Sequence, residues 1–152
     1  MAVQAEKLPE ERETERRRLL DSLPRLDGVK VLVVDDEASA REIIAAVLTQ
    51  CGAVPTAVAS VSDALVKLGQ MQPDVLISDI GMPDENGYEL IRKIRVLRAD
   101  RGGNVPAIAL TAYAKTEDRM RALAAGFQNH VPKPVEPAEL ALVVASLVER
   151  AK

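Results

Sequence analysis

A small set of polar residues in this chain has the types and the spacing that phosphoryl transfer requires. Two adjacent aspartates follow one apolar run, a third aspartate follows another, and a threonine and a lysine follow two more. Metal-binding carboxylates, a hydroxyl donor and a neutralising ammonium group are the parts of a phosphoryl-transfer site. The residues are Asp35, Asp36, Asp79, Thr111 and Lys133.

The three aspartates predict a magnesium site with a nucleophile beside it. Each of them alone could cap a helix or a loop, but carboxylates brought close together raise one another's pKa or require a cation. Oxygen ligands without a His or Cys cluster favour Mg²⁺. Carboxylates also act as nucleophiles through aspartyl-phosphate intermediates. We expect Asp79 to be the nucleophile, because it follows the third apolar run, between the Asp35-Asp36 pair and the Thr111 and Lys133 side.

Short apolar runs alternate with helical patterns from residue 29 onward, which predicts the elements that position these side chains. Strands are predicted at 30–34, 54–59, 74–77, 106–110 and 129–132. Five helical stripes follow them, including one opened by Ser60, one that starts at Thr116 and one that starts at Pro137. Five strands that alternate with five helices predict a doubly wound α/β domain with a parallel sheet covered on both faces.

Two prolines restrict the order of the strands. Pro55 and Pro132 lie inside the second and fifth runs, where each removes a ladder donor and therefore favours an edge position. The order 2-1-3-4-5, that of the flavodoxin-like fold, satisfies this constraint. Ligands bind in such folds beyond the carboxyl ends of the strands at the switch point, here between strands one and three. Asp35, Asp36 and Asp79 should therefore meet there.

The first 27 residues differ from the rest, so we predict an extension over 1–27 and a domain over 28–152. The segment PEERETERRR has glutamates early and arginines late, which suits a short helix, although a flexible linker is the alternative. Four leucines could dock this extension on the domain or on a partner. They are Leu19, Leu20, Leu23 and Leu26.

Composition argues against several classes of protein. The net charge of −3 leaves no basic surface for nucleic acid, and no apolar run has the length of a membrane span. The charged N-terminus does not have the pattern of a secretory signal, and the single cysteine, Cys51, fits a reducing compartment. We therefore expect a cytoplasmic protein that binds neither nucleic acid nor membrane.

Four motifs taken together resemble the receiver (response-regulator, chemotaxis-type) domain of two-component signalling. They are VLVVDDE at 31–37, DIGMP at 79–83, Thr111-Ala112 and Lys133-Pro134. The stretches AIALTAYA and 126–134 are most similar to the C-terminal receivers of hybrid histidine kinases. A free single-domain regulator and a receiver of a hybrid kinase both remain open.

The resemblance implies a role for each site residue. Asp79 would accept the phosphoryl group from the phosphohistidine of a sensor histidine kinase or of a histidine phosphotransfer protein. Mg²⁺ would be bound by Asp36 and Asp79, by Asp35 largely through water, and by the backbone carbonyl of Gly81. Thr111 and Lys133 would contact the phosphoryl oxygens. The Lys133-Pro134 peptide bond would be cis, and the chain would catalyse only its own phosphorylation and dephosphorylation.

Receiver domains of this kind switch between two states, and the resemblance implies the same here. Thr111 moves toward the phosphoryl group, and an aromatic residue on the fifth strand turns inward. The surface of the helix that starts at Thr116, the fifth strand and the last helix then changes its affinity for a downstream protein, and could also form a homodimer. This chain has His130 at the aromatic position, and an imidazole could add pH sensitivity to the switch. Gly81 and Tyr113 would tune the lifetime of the phosphoryl group.

Two other classes of function use the same fold or the same chemistry. A Mg²⁺-dependent phosphatase or phosphotransferase of small molecules would need a second acid-base aspartate two residues after Asp79, where Gly81 stands. A nucleotide- or flavin-binding module would need a glycine-rich motif after the first strand or aromatic residues for stacking. Aromatic residues make up 2% of the chain, so the second class is disfavoured.

Overall fold

The computed structural model describes residues 8–112 and 116–151, which form one five-stranded sheet with helices on both of its faces. The strands are β1 (Lys30–Val34), β2 (Val54–Val58), β3 (Val75–Asp79), β4 (Ala107–Thr111) and β5 (Asn129–Pro132). The helices are α1 (Pro9–Asp21), α2 (Ala38–Gln50), α3 (Val61–Met71), α4 (Gly87–Arg95), α5 (Thr116–Ala125) and α6 (Pro137–Ala151). A 3₁₀ turn at Ala99–Arg101 precedes β4. No helix in the described ranges has the length and hydrophobicity to cross a bilayer.

All neighbouring strands are parallel, and their order is β2-β1-β3-β4-β5, so the predicted fold and strand order are confirmed. Pro55 and Pro132 lie in the two edge strands, where each lost ladder donor costs least. The three central strands β1, β3 and β4 supply buried residues to both faces of the sheet. This is the pattern of a parallel sheet that is covered on both sides.

The two faces of the sheet carry separate cores, because successive residues of a strand point to opposite sides. Val31 and Val33 pack with α2 and α6, whereas Leu32 and Val34 pack with α3, α4 and α5. The carboxyl end of β1 is therefore clamped between two apolar layers. Any polar group placed there has a fixed position.

Two strands extend further toward the site than the sequence predicts. The apolar runs end at residues 77 and 110, but β3 continues to Asp79 and β4 to Thr111. Asp79 is paired with Leu110 in the ladder, and the Ile80 amide donates to the Leu110 carbonyl at 3.1 Å. The apolar pattern marks where side chains are buried, whereas the ladder continues through polar residues. Asp79 and Thr111 therefore lie on ladder-paired backbone.

The end of the N-terminal extension packs into the domain. Leu23 and Leu26 are buried in the core that α2 and α6 form, and the Leu26 amide donates to the Cys51 carbonyl at 2.7 Å. The side chains of Leu19 and Leu20, which the sequence assigns to the same docking, lie outside the part of the chain that the structure describes. A division between extension and domain at residues 27 and 28 stays a prediction.

We predict that Leu26→Ala lowers the free energy of unfolding by about 2–5 kcal/mol, because it leaves a cavity in a packed core. Leu26 is 3% exposed, whereas Leu8 is 58% exposed, so Leu8→Ala is a matched control that should change stability by less than about 0.5 kcal/mol. Urea unfolding measures both. Equal, small effects of the two substitutions would show that the extension is not part of the folded unit.

Candidate functional site

Asp35 lies directly after β1, and every polar atom that it has is in contact with a named partner. Its amide donates to the Val58 carbonyl at 3.1 Å, and its carbonyl accepts from Arg41 Nη1 at 2.8 Å. Its Oδ1 accepts from the Glu37 amide at 2.9 Å. Its Oδ2 lies 2.9 Å from Lys133 Nζ, a close ion pair that lacks the angles of a hydrogen bond. Asp35 is fully buried, so these contacts hold it in one orientation.

Asp79 ends β3 on the other side of the switch point and is 6% exposed. Its Oδ2 lies 3.3 Å from Lys133 Nζ, and its Oδ1 accepts from the Gly81 amide at 3.3 Å. Burial raises the pKa of the Asp79 carboxyl, and the negative charge of Asp35 raises it further, while Lys133 and the Gly81 amide act in the opposite direction. The net effect is a raised pKa, so the ionised carboxylate is held at a cost to stability.

Lys133 bridges the two buried carboxylates. Burial by itself would lower the pKa of its ammonium group, but the contacts with Asp35 and Asp79 outweigh burial, and the pKa is raised. Lys133 therefore stays protonated at neutral pH and holds a full positive charge between the ends of β1 and β3. The structure thus brings Asp35, Asp79 and Lys133 together at the ends of three strands.

The acidic cluster has the chemistry of a magnesium site. Asp35, Asp36 and Asp79 each offer one carboxylate oxygen, and these oxygens lie within 4.8 Å of one another. The donors are all oxygen, and Asp36 is exposed, so coordinated waters have access. Mg²⁺ prefers such a set, with one or two carboxylates and several waters. Gly81 borders the same space, and coordination through its carbonyl stays a prediction.

A cavity of about 240 Å³ connects the acidic cluster to α5. Asp79, Thr111 and Lys133 line it together, so the predicted hydroxyl and ammonium groups do share one space with the predicted acceptor. Thr111 is 5% exposed at the end of β4. The other described lining residues are Glu37, Ile80, Gly81, Tyr88, Ala112 and Asp118.

Tyr88 and Asp118 are lining residues that the sequence did not single out. The Tyr88 ring is 5% exposed, and the Arg121 guanidinium lies 4.3 Å from its centroid in a cation–π contact between α4 and α5. Gly87 begins α4 so close to β3 that a Cβ at this position would overlap the Asp79 carbonyl oxygen. The Asn-Gly pair at 86–87 is typical of a turn, and here it begins α4 and so brings Tyr88 to the site.

His130, the predicted switch residue, lies on β5 beside Ala109 and is half-buried. It is not among the described residues that line the cavity. Tyr113, which the sequence assigns to the water approach, lies outside the described residues. The Lys133-Pro134 bond is cis, as predicted.

The raised pKa of Asp79 predicts how stability depends on pH. A carboxyl whose pKa is higher in the folded than in the unfolded state destabilises the fold once it ionises, so the free energy of unfolding falls as pH rises through that interval. In Mg²⁺-free buffer, Asp79→Asn should therefore be more stable than the unsubstituted protein at neutral pH. This advantage should disappear as pH falls toward about 3.9, the unfolded value for aspartate.

Urea unfolding at several pH values in the presence of a chelator measures this difference. Asp100→Asn is the control, because Asp100 is an exposed aspartate on the 3₁₀ turn. Lower stability of Asp79→Asn at neutral pH would contradict the conclusion that the ionised Asp79 carboxylate destabilises the fold.

Comparison with known proteins finds a family model, curated relatives and solved structures that this chain resembles. A family model for the response regulator receiver domain matches residues 31–145. An uncharacterized 14.6 kDa protein from the sodA1 3′ region of Leptolyngbya boryana is 42% identical over 119 residues, which cover 78% of this chain and 89% of that protein. Hybrid signal transduction histidine kinase D of Dictyostelium discoideum is 35% identical over 132 residues, covering 82% of this chain and 8% of the kinase.

A solved structure agrees in fold over most of the chain. The receiver domain of sensor histidine kinase PA1611 from Pseudomonas aeruginosa PAO1, with a magnesium ion coordinated in its active site cleft, is 32% identical with a TM-score of 0.73. The comparison covers 80% of this chain and 98% of that one. The chain spans about half the length of the curated transcriptional regulators that it also matches. From the matched residues, the sheet order and these relatives, we conclude that the chain belongs to the response regulator receiver domain family of two-component signalling.

Proposed function

We propose that Asp79 accepts a phosphoryl group from the phosphohistidine of a sensor histidine kinase or of a histidine phosphotransfer protein. The observation that carries this proposal is the position of Asp79: a buried carboxylate that shares one ammonium group, Lys133, with Asp35 and opens into a cavity. Besides these contacts, Asp79 faces a space that could hold a phosphoryl group.

In the proposed transfer, one carboxylate oxygen of Asp79 attacks phosphorus and forms a new P–O bond. The bond between phosphorus and the imidazole nitrogen of the donor breaks, and its electron pair stays on that nitrogen. Lys133 holds a positive charge beside Asp79 and would stabilise the equatorial phosphoryl oxygens as charge develops on them. The Thr111 hydroxyl lines the same cavity and would contact one of these oxygens.

Asp35, Asp36, Asp79 and the Gly81 carbonyl would hold Mg²⁺, which when bound would supply neutralising charge to the transferring group. Asp35 has both carboxylate oxygens engaged by Glu37 and Lys133, which favours contact with the ion through water. Asp36 is exposed and follows Asp35 directly, so it would be a direct ligand. In the proposed ligand set, the fixed Asp35 would contact the ion through water and the accessible Asp36 would bind it directly.

A second cavity next to the site suits a macromolecular donor. It has a volume of about 440 Å³, extends from Glu37 and Ile43 on the α2 side to Lys133 and Val135, and leaves Ile43 57% exposed. An exposed apolar residue beside an acceptor offers contact area that a small phosphodonor would not use.

The proposed donor also suggests a location for the chain. A donor that is phosphorylated with ATP would act inside the cell, so we propose that the chain is cytoplasmic.

The proposed output surface is formed by α5, β5 and α6. Met120, Leu123 and Leu142 are 64%, 45% and 60% exposed there, which supports contact with a downstream protein or a second copy of the chain. Thr111 and His130 would carry the change of state to this surface. On α5, Asp118 lines the cavity and Arg121 lies over the ring of Tyr88, which also lines it. The charge of a bound phosphoryl group could therefore also act on α5 through these two residues.

The alternative of a Mg²⁺-dependent phosphatase or phosphotransferase acting on small molecules is not supported. The family match covers residues 31–145, and no second aspartate stands at position 81. We propose instead that the chain catalyses only its own phosphorylation and dephosphorylation.

Incubation with Mg²⁺ and acetyl phosphate should add one phosphoryl group to the protein, because the acceptor, the ammonium group and the acidic cluster are already in place. Intact-mass spectrometry measures the adduct. Asp79→Asn should abolish it, with a loss of at least about 100-fold, since the nucleophile is removed. Asp74→Asn, which changes an aspartate at the opposite end of β3, should leave it unchanged. No adduct on the unsubstituted protein, or an equal adduct on Asp79→Asn, would refute the proposal.

The role of His130 can be tested separately from phosphorylation. If His130 transmits the change, His130→Ala should reduce the beryllofluoride-dependent difference in α5 amide exchange by at least about half, whereas His130→Phe should retain it. Acetyl phosphate labelling should be unaffected in both variants. A full exchange difference in His130→Ala would assign the coupling to other residues.

A further inference from the structure

Arg41 on α2 makes a contact with the acidic cluster that the proposed chemistry does not use. Its Nη1 donates to the main-chain carbonyl of Asp35 at 2.8 Å, across the turn that joins β1 to α2. The side chain is half-buried, and among the described residues this is the one hydrogen bond of its guanidinium. An arginine that served only as a solvent-exposed residue of the helix would have its guanidinium in water.

The contact falls on the peptide unit between the two adjacent aspartates. The Asp35 carbonyl belongs to the same rigid plane as the Asp36 amide, so a hydrogen bond to that oxygen fixes the orientation of the backbone that leads into Asp36. The Glu37 amide, one residue further on, is held by Asp35 Oδ1 at 2.9 Å. Arg41 and Glu37 thus fix the turn from opposite ends, and Asp36 lies between them.

We infer that Arg41 is a positioning residue for the proposed Mg²⁺ site, acting through the Asp35-Asp36 peptide and not on the ion. The inference rests on the proposed function. Three carboxylates whose oxygens lie within 4.8 Å repel one another when no cation is bound, and Asp36 is the exposed member that could move away. Arg41 opposes this movement and keeps the ligands close to the geometry that binding requires.

The position of Arg41 and its charge predict opposite effects on the affinity for Mg²⁺ when Arg41 is replaced. The guanidinium carries a positive charge, and a positive charge near a cation site weakens binding of Mg²⁺. If Arg41 acted only through its charge, its removal would tighten binding. If Arg41 positions the ligands, its removal weakens binding although a repelling charge has been lost.

The test compares Arg41→Met, which keeps helix propensity and length but removes the donor and the charge, with Arg41→Lys, which keeps one donor group and the charge. Arg92→Met is the matched control, since Arg92 is an exposed arginine on α4. Calorimetric titration with MgCl₂ measures the Kd. Amide exchange of Glu37 in Mg²⁺-free protein measures the order of the turn, and acetyl phosphate labelling at saturating Mg²⁺ measures the chemistry.

We expect Arg41→Met to raise the Kd for Mg²⁺ about tenfold, the lower end of the effect of outer-shell partners on metal affinity. Glu37 amide exchange should become faster in the same variant. Labelling at saturating Mg²⁺ should stay within about twofold of the unsubstituted protein, because excess ion restores occupancy. The Kd of Arg41→Lys should lie between those of Arg41→Met and the unsubstituted protein. The Kd of Arg92→Met should match that of the unsubstituted protein.

An unchanged or lower Kd in Arg41→Met would overturn the inference, as would an equal shift in Arg92→Met. Should Arg41→Met fail to fold, Arg41→Gln carries the same comparison. Failure of the proposed function has a different signature: the unsubstituted protein itself would then neither bind Mg²⁺ nor become labelled at Asp79.

Discussion

Asp35 and Asp79 repel each other across the carboxyl ends of β1 and β3, and the ammonium group of Lys133 lies 2.9 Å from one and 3.3 Å from the other. Two buried carboxylates and one ammonium leave an excess of negative charge, which the exposed Asp36 increases. Burial makes that excess expensive and raises the pKa of Asp79. Binding of a cation at this site would offset the electrostatic cost of the excess negative charge, and so would a reaction that requires a bound cation.

The sheet and its two apolar cores hold these charged groups together against their repulsion. Asp79 is paired in the ladder of the central strand β3, Asp35 directly follows the central strand β1, and Lys133 follows the edge strand β5. Apolar layers on both faces prevent the strands from separating, since moving either end would expose several fully buried side chains. Gly87 completes the arrangement by allowing α4 to approach the Asp79 backbone without a Cβ.

Much of this could be predicted from the sequence, because apolar periodicity and proline placement report directly on burial and on ladder pairing. Pro55 and Pro132 were sufficient to place the edge strands, and the polar residues after each run indicated the site. The Lys133 bridge to Asp35 could not be predicted, since it depends on side-chain orientation across three strands. Tyr88 was missed because a single aromatic in a helix reads as core, whereas Leu23 and Leu26 were named as docking residues and are buried in the domain.

We propose that the phosphoryl group is carried by Asp79, and chemical trapping of the labelled residue tests this most directly. Borohydride reduces an acyl phosphate to an alcohol, which converts a phosphorylated aspartate into homoserine that peptide mass spectrometry can locate. After reaction with acetyl phosphate and Mg²⁺, we expect homoserine at position 79 and aspartate at positions 35 and 36. Homoserine at position 35 or 36, or at no position in labelled protein, would contradict it.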